Sequence, residues 1–230
     1  MKVYSNRTIG ISGTLLLLFA PVMLAAIASA ALQALPQPRS QGGQSLEESI
    51  AARRSVRRYA DAPLTQDEIG QLCWSAQGIT DARRGFRAAP SAGATFPLEL
   101  YVATEDGVFR YLPEQHALER HLEDDIRRGL RRAGLGQSML EEAPAVFIFA
   151  ADVRRTARRY GERAERYVWM EVGHASQNLL LQVVALDLAA VPIGAFRDDD
   201  LARVLRLPDG QQPFYLVPVG RPSANPNANM

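Results

Sequence analysis

The chain has 230 residues, 26 Lys and Arg against 25 Asp and Glu, and 47% hydrophobic content, enough for one domain with a substantial core and too evenly charged to favour nucleic acid or an anionic membrane surface as a partner. Cys73 is the only cysteine, which excludes an intrachain disulfide and any cysteine-built zinc or iron–sulfur site. Lys2 is the only lysine, so everything after the first residues lacks the amine that Schiff-base chemistry, pyridoxal phosphate attachment or a phosphate loop requires.

Lys2 and Arg7 precede an apolar stretch, Ile9 to Ala28, that leads into Ala28-Ser29-Ala30. This is the layout of a secretory signal with a small-residue cleavage site, and an uncleaved membrane anchor over residues 9–28 is the alternative. Both place the rest of the protein outside the cytoplasm, exported and either periplasmic or tethered facing outward. Without residues 1–30 the balance is 24 basic to 25 acidic groups. Residues 31–44 (ALQALPQPRSQGGQ), rich in Pro, Gln and Gly, read as a linker. The domain then occupies 45–222, and residues 223–230 form a short disordered tail.

Within the domain, Ser45 to Arg54 and Thr65 to Gln77 each begin with a hydroxyl residue followed three positions later by Glu48 or Glu68, which predicts two capping-box helices. Leu98 to Thr104 and Val108 to Leu112, joined through Glu105-Asp106-Gly107, predict a hairpin. Asp124 to Ala133 reads as a polar helix, and Ala145 to Ala151 (AVFIFAA) as a strand buried on both faces. From Val153 to about Leu188 the pattern is one long helix, Arg-rich at first and apolar nearly all round at Leu179, Leu180, Leu181, Val183 and Val184. Such a helix needs cover from several sides, supplied by a partner at a dimer interface or by its own subunit. A helix from Asp198 to Leu205 and a strand from Phe214 to Val219 close the chain. Mixed α and β structure follows.

Arg53-Arg54-Ser55-Val56-Arg57-Arg58-Tyr59 places four guanidinium groups and a hydroxyl after a helix, and if the chain becomes extended near Ser55, then Arg53, Ser55 and Arg57 can converge on one anion. A solvated face is the plainer reading of such a cluster. Pro90-Ser91-Ala92-Gly93-Ala94 is a small-residue loop that leaves room for a planar ligand, and Pro192-Ile193-Gly194-Ala195-Phe196 puts a second glycine loop at a helix exit. His116, His121 and His174 lie on three segments without ligand spacing, so no metal site is expected. His116 and His121 read as solvent-facing and His174 as a core residue. Cys73 reads as a buried structural thiol.

Taken in order, RRSVRRY, APSAGATFPLELYV, AVFIFAAD, YVWMEVGHASQNLLLQVVALDL, VPIGAF and FYLVPVGRP resemble the flavin-dependent nitroreductase family over about Ser45 to Pro222. They are most similar to its branch of thiazole- and oxazole-peptide dehydrogenases. The resemblance implies an α+β, nitroreductase-like fold: a central antiparallel sheet wrapped by helices, with a long central helix at a dimer interface. It implies a homodimer with FMN as cofactor, NAD(P)H or another electron donor, and a small-molecule acceptor such as a quinone or nitro compound. A peptide-heterocycle dehydrogenase or oxidase, or a flavin-binding protein without turnover, are the alternatives. By resemblance, Arg53, Arg54, Ser55 and Arg57 hold the FMN phosphate, ribityl chain and one edge of the ring. Pro90, Ser91, Ala92 and Gly93 pack along the ring from the other subunit. Ile193, Gly194 and Ala195 present a main-chain amide to flavin N5, where an N–H donor stabilises incoming electron density. Gly194 stands where many relatives carry an acid. Relatives often continue into a C-terminal arm with a phosphate ligand, for which Arg221 is the candidate substitute. No residue is singled out as a catalytic acid or base. Tyr59, Phe96 and Trp169 are candidates to line the acceptor pocket, with a core position the plainer reading.

Overall fold

The computed structural model describes Met1 and residues 32–223. The reading of residues 1–30 as signal or anchor and nearly all of the 223–230 tail lie outside the described residues. No helix among the described residues is long and apolar enough to cross a membrane.

Both capping boxes form. Ser45 Oγ accepts from Glu48 N at 3.1 Å while Glu48 Oε2 accepts from Ser45 N at 2.8 Å, which starts α1 (Leu46–Ala52). Thr65 and Glu68 make the same exchange at 3.2 and 2.7 Å to start α2 (Gln66–Gln77). Each box satisfies two of the amides that a helix start leaves open. After a small hairpin, β2 (Ile79–Asp81) with β3 (Phe86–Arg87), come the sheet strands β4 (Leu98–Thr104) and β5 (Gly107–Leu112). The hairpin is where the Asp-Gly signal puts it. Gly107 has φ +121°, and a Cβ there would lie 2.3 Å from the Leu122 carbonyl oxygen. The next strand, β6 (Ala117–Leu122), causes that crowding.

Among the strands not expected from the pattern, two lie side by side at one edge of the large sheet. β6 carries Glu119, Arg120 and His121 in its middle, so its alternation is weak, yet it pairs with β5 along its length. β1 (Leu32–Ala34) corrects the linker reading of residues 31–44: it forms an antiparallel ladder with β6, Leu32 opposite Glu119 and Ala34 opposite Ala117. Leu35 follows it into the core at 6% exposure. Main-chain pairing at a sheet edge needs no apolar period, and a single buried leucine leaves none to detect.

The remaining elements are α3 (Arg127–Ala133), α4 (Met139–Glu142), β7 (Ala145–Asp152), α5 (Val153–Tyr160), α6 (Ala164–Ala185), β8 (Ala189–Ala190), α7 (Asp198–Leu205) and β9 (Gln211–Gly220). The large sheet runs β1-β6-β5-β4-β7-β9-β8, and every paired strand is antiparallel. Successive residues of β7 enter opposite cores: Ala145, Phe147, Phe149 and Ala151 face α2 and α6, while Val146, Ile148 and Ala150 face α3, α4 and α7. This is why AVFIFAA is apolar throughout.

The single long helix expected over 153–188 is two. Gly161, at φ +53° and ψ −130°, ends α5, and a 3-10 turn over Gly161–Arg163 leads into α6. Leu179, Leu180 and Val183 of α6 are buried within their own subunit. The outer face of the same helix leaves Trp169 and Met170 each 51% exposed, with Gly173, His174 and Gln177 along the same exposed side.

Candidate functional site

α1 ends where the arginines begin. Arg53 caps it, its N–H donating to Ser49 O at 3.0 Å, and from there the chain is extended. Ser55 pairs in parallel with Ala190 of β8, and Val56 N donates to Ala190 O at 2.9 Å. Tyr59 pairs with Pro222, and its hydroxyl donates to the carbonyls of Val56 and Pro218 at 3.0 and 3.1 Å. The departure from helical geometry at Ser55 is therefore fixed by main-chain pairing with the far edge of the sheet. Burial holds the Tyr59 phenol well above its usual range. That residue is a brace of the fold, not an open pocket wall.

Three residues past Ala190, Ile193 exchanges main-chain hydrogen bonds with Leu216 at 2.8 and 3.0 Å. Its amide is thereby occupied. Gly194 and Ala195 are exposed, their N–H groups have no protein acceptor among the described residues, and Gln137 Nε2 fixes the Ala195 carbonyl at 2.9 Å. A Cβ on Gly194 would sit 3.6 Å from the Tyr215 ring, an ordinary contact, so the glycine there is not sterically required.

One protomer thus pairs the main chain of the arginine segment, at Ser55 and Val56, with Ala190, three residues before Ile193. No carboxylate among the described residues forms a salt bridge with Arg53, Arg54, Arg57 or Arg58. Arg53 and Arg54 line a cavity of about 270 Å³ between the ends of α1 and α6, while Arg57 and Arg58 are exposed. A larger cleft of about 390 Å³, between residues 60–66 and the sheet, carries Asp61, Glu105, Asp106, Glu141 and Glu142 on its walls. The guanidinium that lines it among the described residues, that of Arg127, is held by Asp125 at 2.8 Å. That cleft has the wrong sign for a phosphate.

Arg221 is placed differently from its expected role. Its guanidinium pairs with Glu68 at 3.0 Å, the same carboxylate that caps α2. A positive charge already held by a half-buried carboxylate is a poor free anion ligand.

Pro90, Ser91, Ala92 and Gly93 lie elsewhere. Arg159 of α5 reaches the Gly93 carbonyl at 3.3 Å, Asn178 of α6 donates to Ala88 O at 3.2 Å, and Thr95 Oγ1 meets Thr156 Oγ1 at 2.9 Å. Gly93, Ala94 and Phe96 all have positive φ, at +59°, +52° and +43°. A Cβ on Gly93 would lie 2.7 Å from the Tyr160 hydroxyl, which explains the glycine. This loop is seated at the level of Glu171, whereas the arginine segment lies against Val183 and Val184. At the helical rise, these levels are about 20 Å apart along α6. One protomer does not bring the loop and the arginines together.

The histidines correct their sequence readings. His116 is half-buried, its ring bonded to the Tyr111 hydroxyl at 2.9 Å and the Pro36 carbonyl at 2.8 Å, and His121 bonds the Leu205 carbonyl at 2.7 Å. They tie segments together instead of facing solvent. His174 is exposed, not in the core. Cys73 is fully buried in α2, and burial pushes its thiol up. Phe96 lies under the Arg87 guanidinium at 4.6 Å, and Trp169 packs edge-on to Phe214 at 4.7 Å. No group of three His, Cys, Asp or Glu able to hold a metal occurs among the described residues.

A residue missed in the sequence is Glu171, 3% exposed on the buried side of α6. The signal was present: YVWMEVGHAS sets an acid within the Val168–Val172–Ala175 stripe. Burial pushes its carboxyl up to about 7, against the lowering effects of Ser91 and Arg87.

Residues 50–221 match the model of the nitroreductase family. The chain belongs to that family. A Methanocaldococcus jannaschii protein assigned as a nitroreductase is 44% identical over 182 residues, covering 76% of this chain and 90% of that protein. A Methanothermobacter thermautotrophicus protein assigned as an NADH dehydrogenase/NAD(P)H nitroreductase is 25% identical, covering 78% of each chain. Among solved structures, a protein from Ralstonia eutropha assigned as a nitroreductase superposes with a TM-score of 0.77 at 26% identity, covering 86% of this chain and 92% of that one. The Vibrio harveyi NADPH:FMN oxidoreductase, solved with NAD+, shares the fold at a TM-score of 0.59 and 20% identity, covering 79% of this nitroreductase-family chain and 70% of its own.

Proposed function

We propose that this nitroreductase-family protein is an FMN-dependent oxidoreductase that takes electrons from a reduced donor and passes them to a small organic acceptor, as a homodimer with sites shared between subunits. The observation that supports this reading is the pairing of Ser55 with Ala190, which ties a segment of arginines without salt bridges to the chain leading into Gly194 and Ala195, whose amides have no protein acceptor among the described residues. Arg53 and Arg57 would hold the phosphate through charge-assisted hydrogen bonds, and Ser55 would serve the ribityl chain. The amides of Gly194 and Ala195 would face the reactive edge of the ring, because that of Ile193 is committed to Leu216. FMN, when bound, supplies the redox chemistry. The chain's own residues orient it and leave one face open, since Gly194 adds no side chain there.

The separation of the Pro90–Gly93 loop from the arginines within one protomer supports a shared site, and the exposed Trp169 and Met170 supply an apolar face for a partner. The NADH dehydrogenase/NAD(P)H nitroreductase and NADPH:FMN oxidoreductase relatives point to NAD(P)H as donor. Residues 1–30, read as an export segment, point to a membrane quinol or a protein donor instead. Anaerobic mixing of holoprotein with NADH and with NADPH decides between them: prompt bleaching of flavin absorbance by either supports the nicotinamide donor, and no bleaching by both overturns it. The order of the motifs from RRSVRRY to VPIGAF is the support for the peptide-heterocycle dehydrogenase branch, and it rests on sequence.

A further inference from the structure

The large sheet forks between β4 and β5. The two strands pair from Tyr101 to Thr104, but at Leu98, Glu99 and Leu100 β4 pairs with β7 alone, while β5 runs on to Leu112 against β6. A cavity of about 390 Å³ lies where they part, and its walls include Gln77 at the end of α2, Arg87 of β3 and Arg155 of α5. None of the residues read as flavin ligands lines it.

Two buried donors of these walls have no acceptor among the described residues, Gln77 Nε2 and Arg87 Nε. Gln77 is 1% exposed and the Arg87 side chain 10%. Gln77 cannot turn its amide over to relieve this. Its Oε1 accepts from Arg87 Nη1 at 3.0 Å, and a turned amide would set donor against donor. Arg87 is fixed in turn, with its guanidinium over the Phe96 ring at 4.6 Å and Nη2 donating to Glu114 at 3.1 Å. Native folds rarely leave such donors unmatched, so the cavity calls for an acceptor.

The charges around it decide which kind. Arg110 is held by Glu119 through Nε and Nη2 at 3.0 and 2.8 Å, and Arg155 by Glu99 and the Phe96 carbonyl. Arg87 is held less firmly. Glu114 takes one of its nitrogens and is 61% exposed, so it can give way to another carboxylate at small cost. Three guanidiniums are thus met by three carboxylates, Glu99, Glu114 and Glu119, which favours a singly charged guest over a phosphate dianion. A carboxylate spans Nε and Nη2 of one arginine elsewhere in this protein, where Asp152 meets Arg154 at 2.8 Å on both. Leu98, Leu100 and Leu112 add apolar wall for a short hydrocarbon tail.

We propose that the fork between β4 and β5 binds the carboxylate of a small organic acid, with Arg87 Nε and Nη2 and the Gln77 amide as donors and Glu114 displaced to solvent. This reading does not depend on FMN.

Side-chain proton–nitrogen correlation spectra of the full chain, titrated with butyrate, read both donors directly. The Arg87 Nε–H and Gln77 Nε2–H signals, assigned by their loss in Arg87→Lys and Gln77→Glu, should shift saturably. The Arg127 Nε–H signal, held by Asp125 at 3.0 Å, should not move. Followed at the main-chain amides of residues 98–100, butyrate affinity should fall roughly 10-fold or more in Arg87→Lys, which keeps the charge and removes Nε, and in Gln77→Glu, which replaces the donor with a like charge. Glu114→Ala, at an exposed side chain, should tighten butyrate roughly 5-fold. Donor signals that stay still in wild type overturn the site and leave water as the acceptor. Unchanged affinity in Glu114→Ala overturns the displacement of Glu114, and inorganic phosphate binding as tightly as butyrate overturns the carboxylate assignment. If Gln77→Glu or Arg87→Lys melts early, wild type and Glu114→Ala still decide the proposal.

Discussion

Leu35 lies in a segment whose composition reads as a linker, yet it is 6% exposed and belongs to the core beneath α2. Its Cβ is close enough to α2 that a Cβ on Gly70 would stand 3.3 Å away. Its N–H donates to His116 O at 3.0 Å, and the adjoining Pro36 carbonyl takes the His116 ring at 2.8 Å. Leu35→Ala keeps the main-chain bond and removes the packed side chain, which costs about 2–4 kcal/mol when a core cannot collapse around the space. With a urea dependence of about 2 kcal/mol per molar, the unfolding midpoint should fall by about 1–2 M. Equilibrium unfolding of full chain at one fixed protein concentration, followed by far-UV circular dichroism, measures it. Leu32→Ala is the internal control, because Leu32 is 57% exposed and should leave the midpoint within about 0.2 M. A Leu35→Ala midpoint equal to that of the control would show that residues 31–44 are a tether after all.

The other predictions concern the site. A Glu171 carboxyl at about 7 when folded, against 4.5 unfolded, binds a proton in the native state that the unfolded state has lost. Wild type should therefore lose about 3 kcal/mol relative to Glu171→Gln as pH rises from below 4.5 to above 7, seen in paired urea titrations; a stability difference that does not change with pH refutes it. Gly194→Ala places its methyl in ordinary contact with Tyr215 and should change stability by less than about 0.5 kcal/mol. Gly93→Ala, at φ +59° and against the Tyr160 hydroxyl, should cost about 1–2 kcal/mol. Thermal melts separate the two, and equal losses would mean that the 193–195 loop is as tightly packed as the 91–96 loop.

Residue patterns made the large elements legible for physical reasons that the structure retains. Hydroxyl and acid at three-residue spacing close the two capping boxes, and AVFIFAA is apolar throughout because β7 is buried on both faces. What escaped was set by partners distant in sequence. β1 and β6 are strands because they pair with each other and with β5, while their own side chains alternate poorly. The break between α5 and α6 depends on one backbone conformation, at Gly161, in a pattern that reads helical on either side. At the site, the arginine run was visible as charge, but its extended course comes from pairing with Ala190, 135 positions from Ser55. Arg221 was legible as a guanidinium near the last strand, and its engagement by Glu68 was not. Glu171 was overlooked because an acid in a helix is ordinarily solvated, and only its place on the inward stripe marks it.

A fluorescence titration of FMN onto protein stripped of any bound ligand, with wild type and Arg57→Ala side by side, tests the flavin site most directly. FMN should bind wild type, and Arg57→Ala should weaken it by about 1.5–3 kcal/mol, a rise in Kd of roughly 10- to 100-fold, the scale of a charge-assisted hydrogen bond. A wild-type protein that does not bind FMN, or an Arg57→Ala protein that binds it equally well, would contradict the placement of the phosphate beside the paired Ser55 and Ala190.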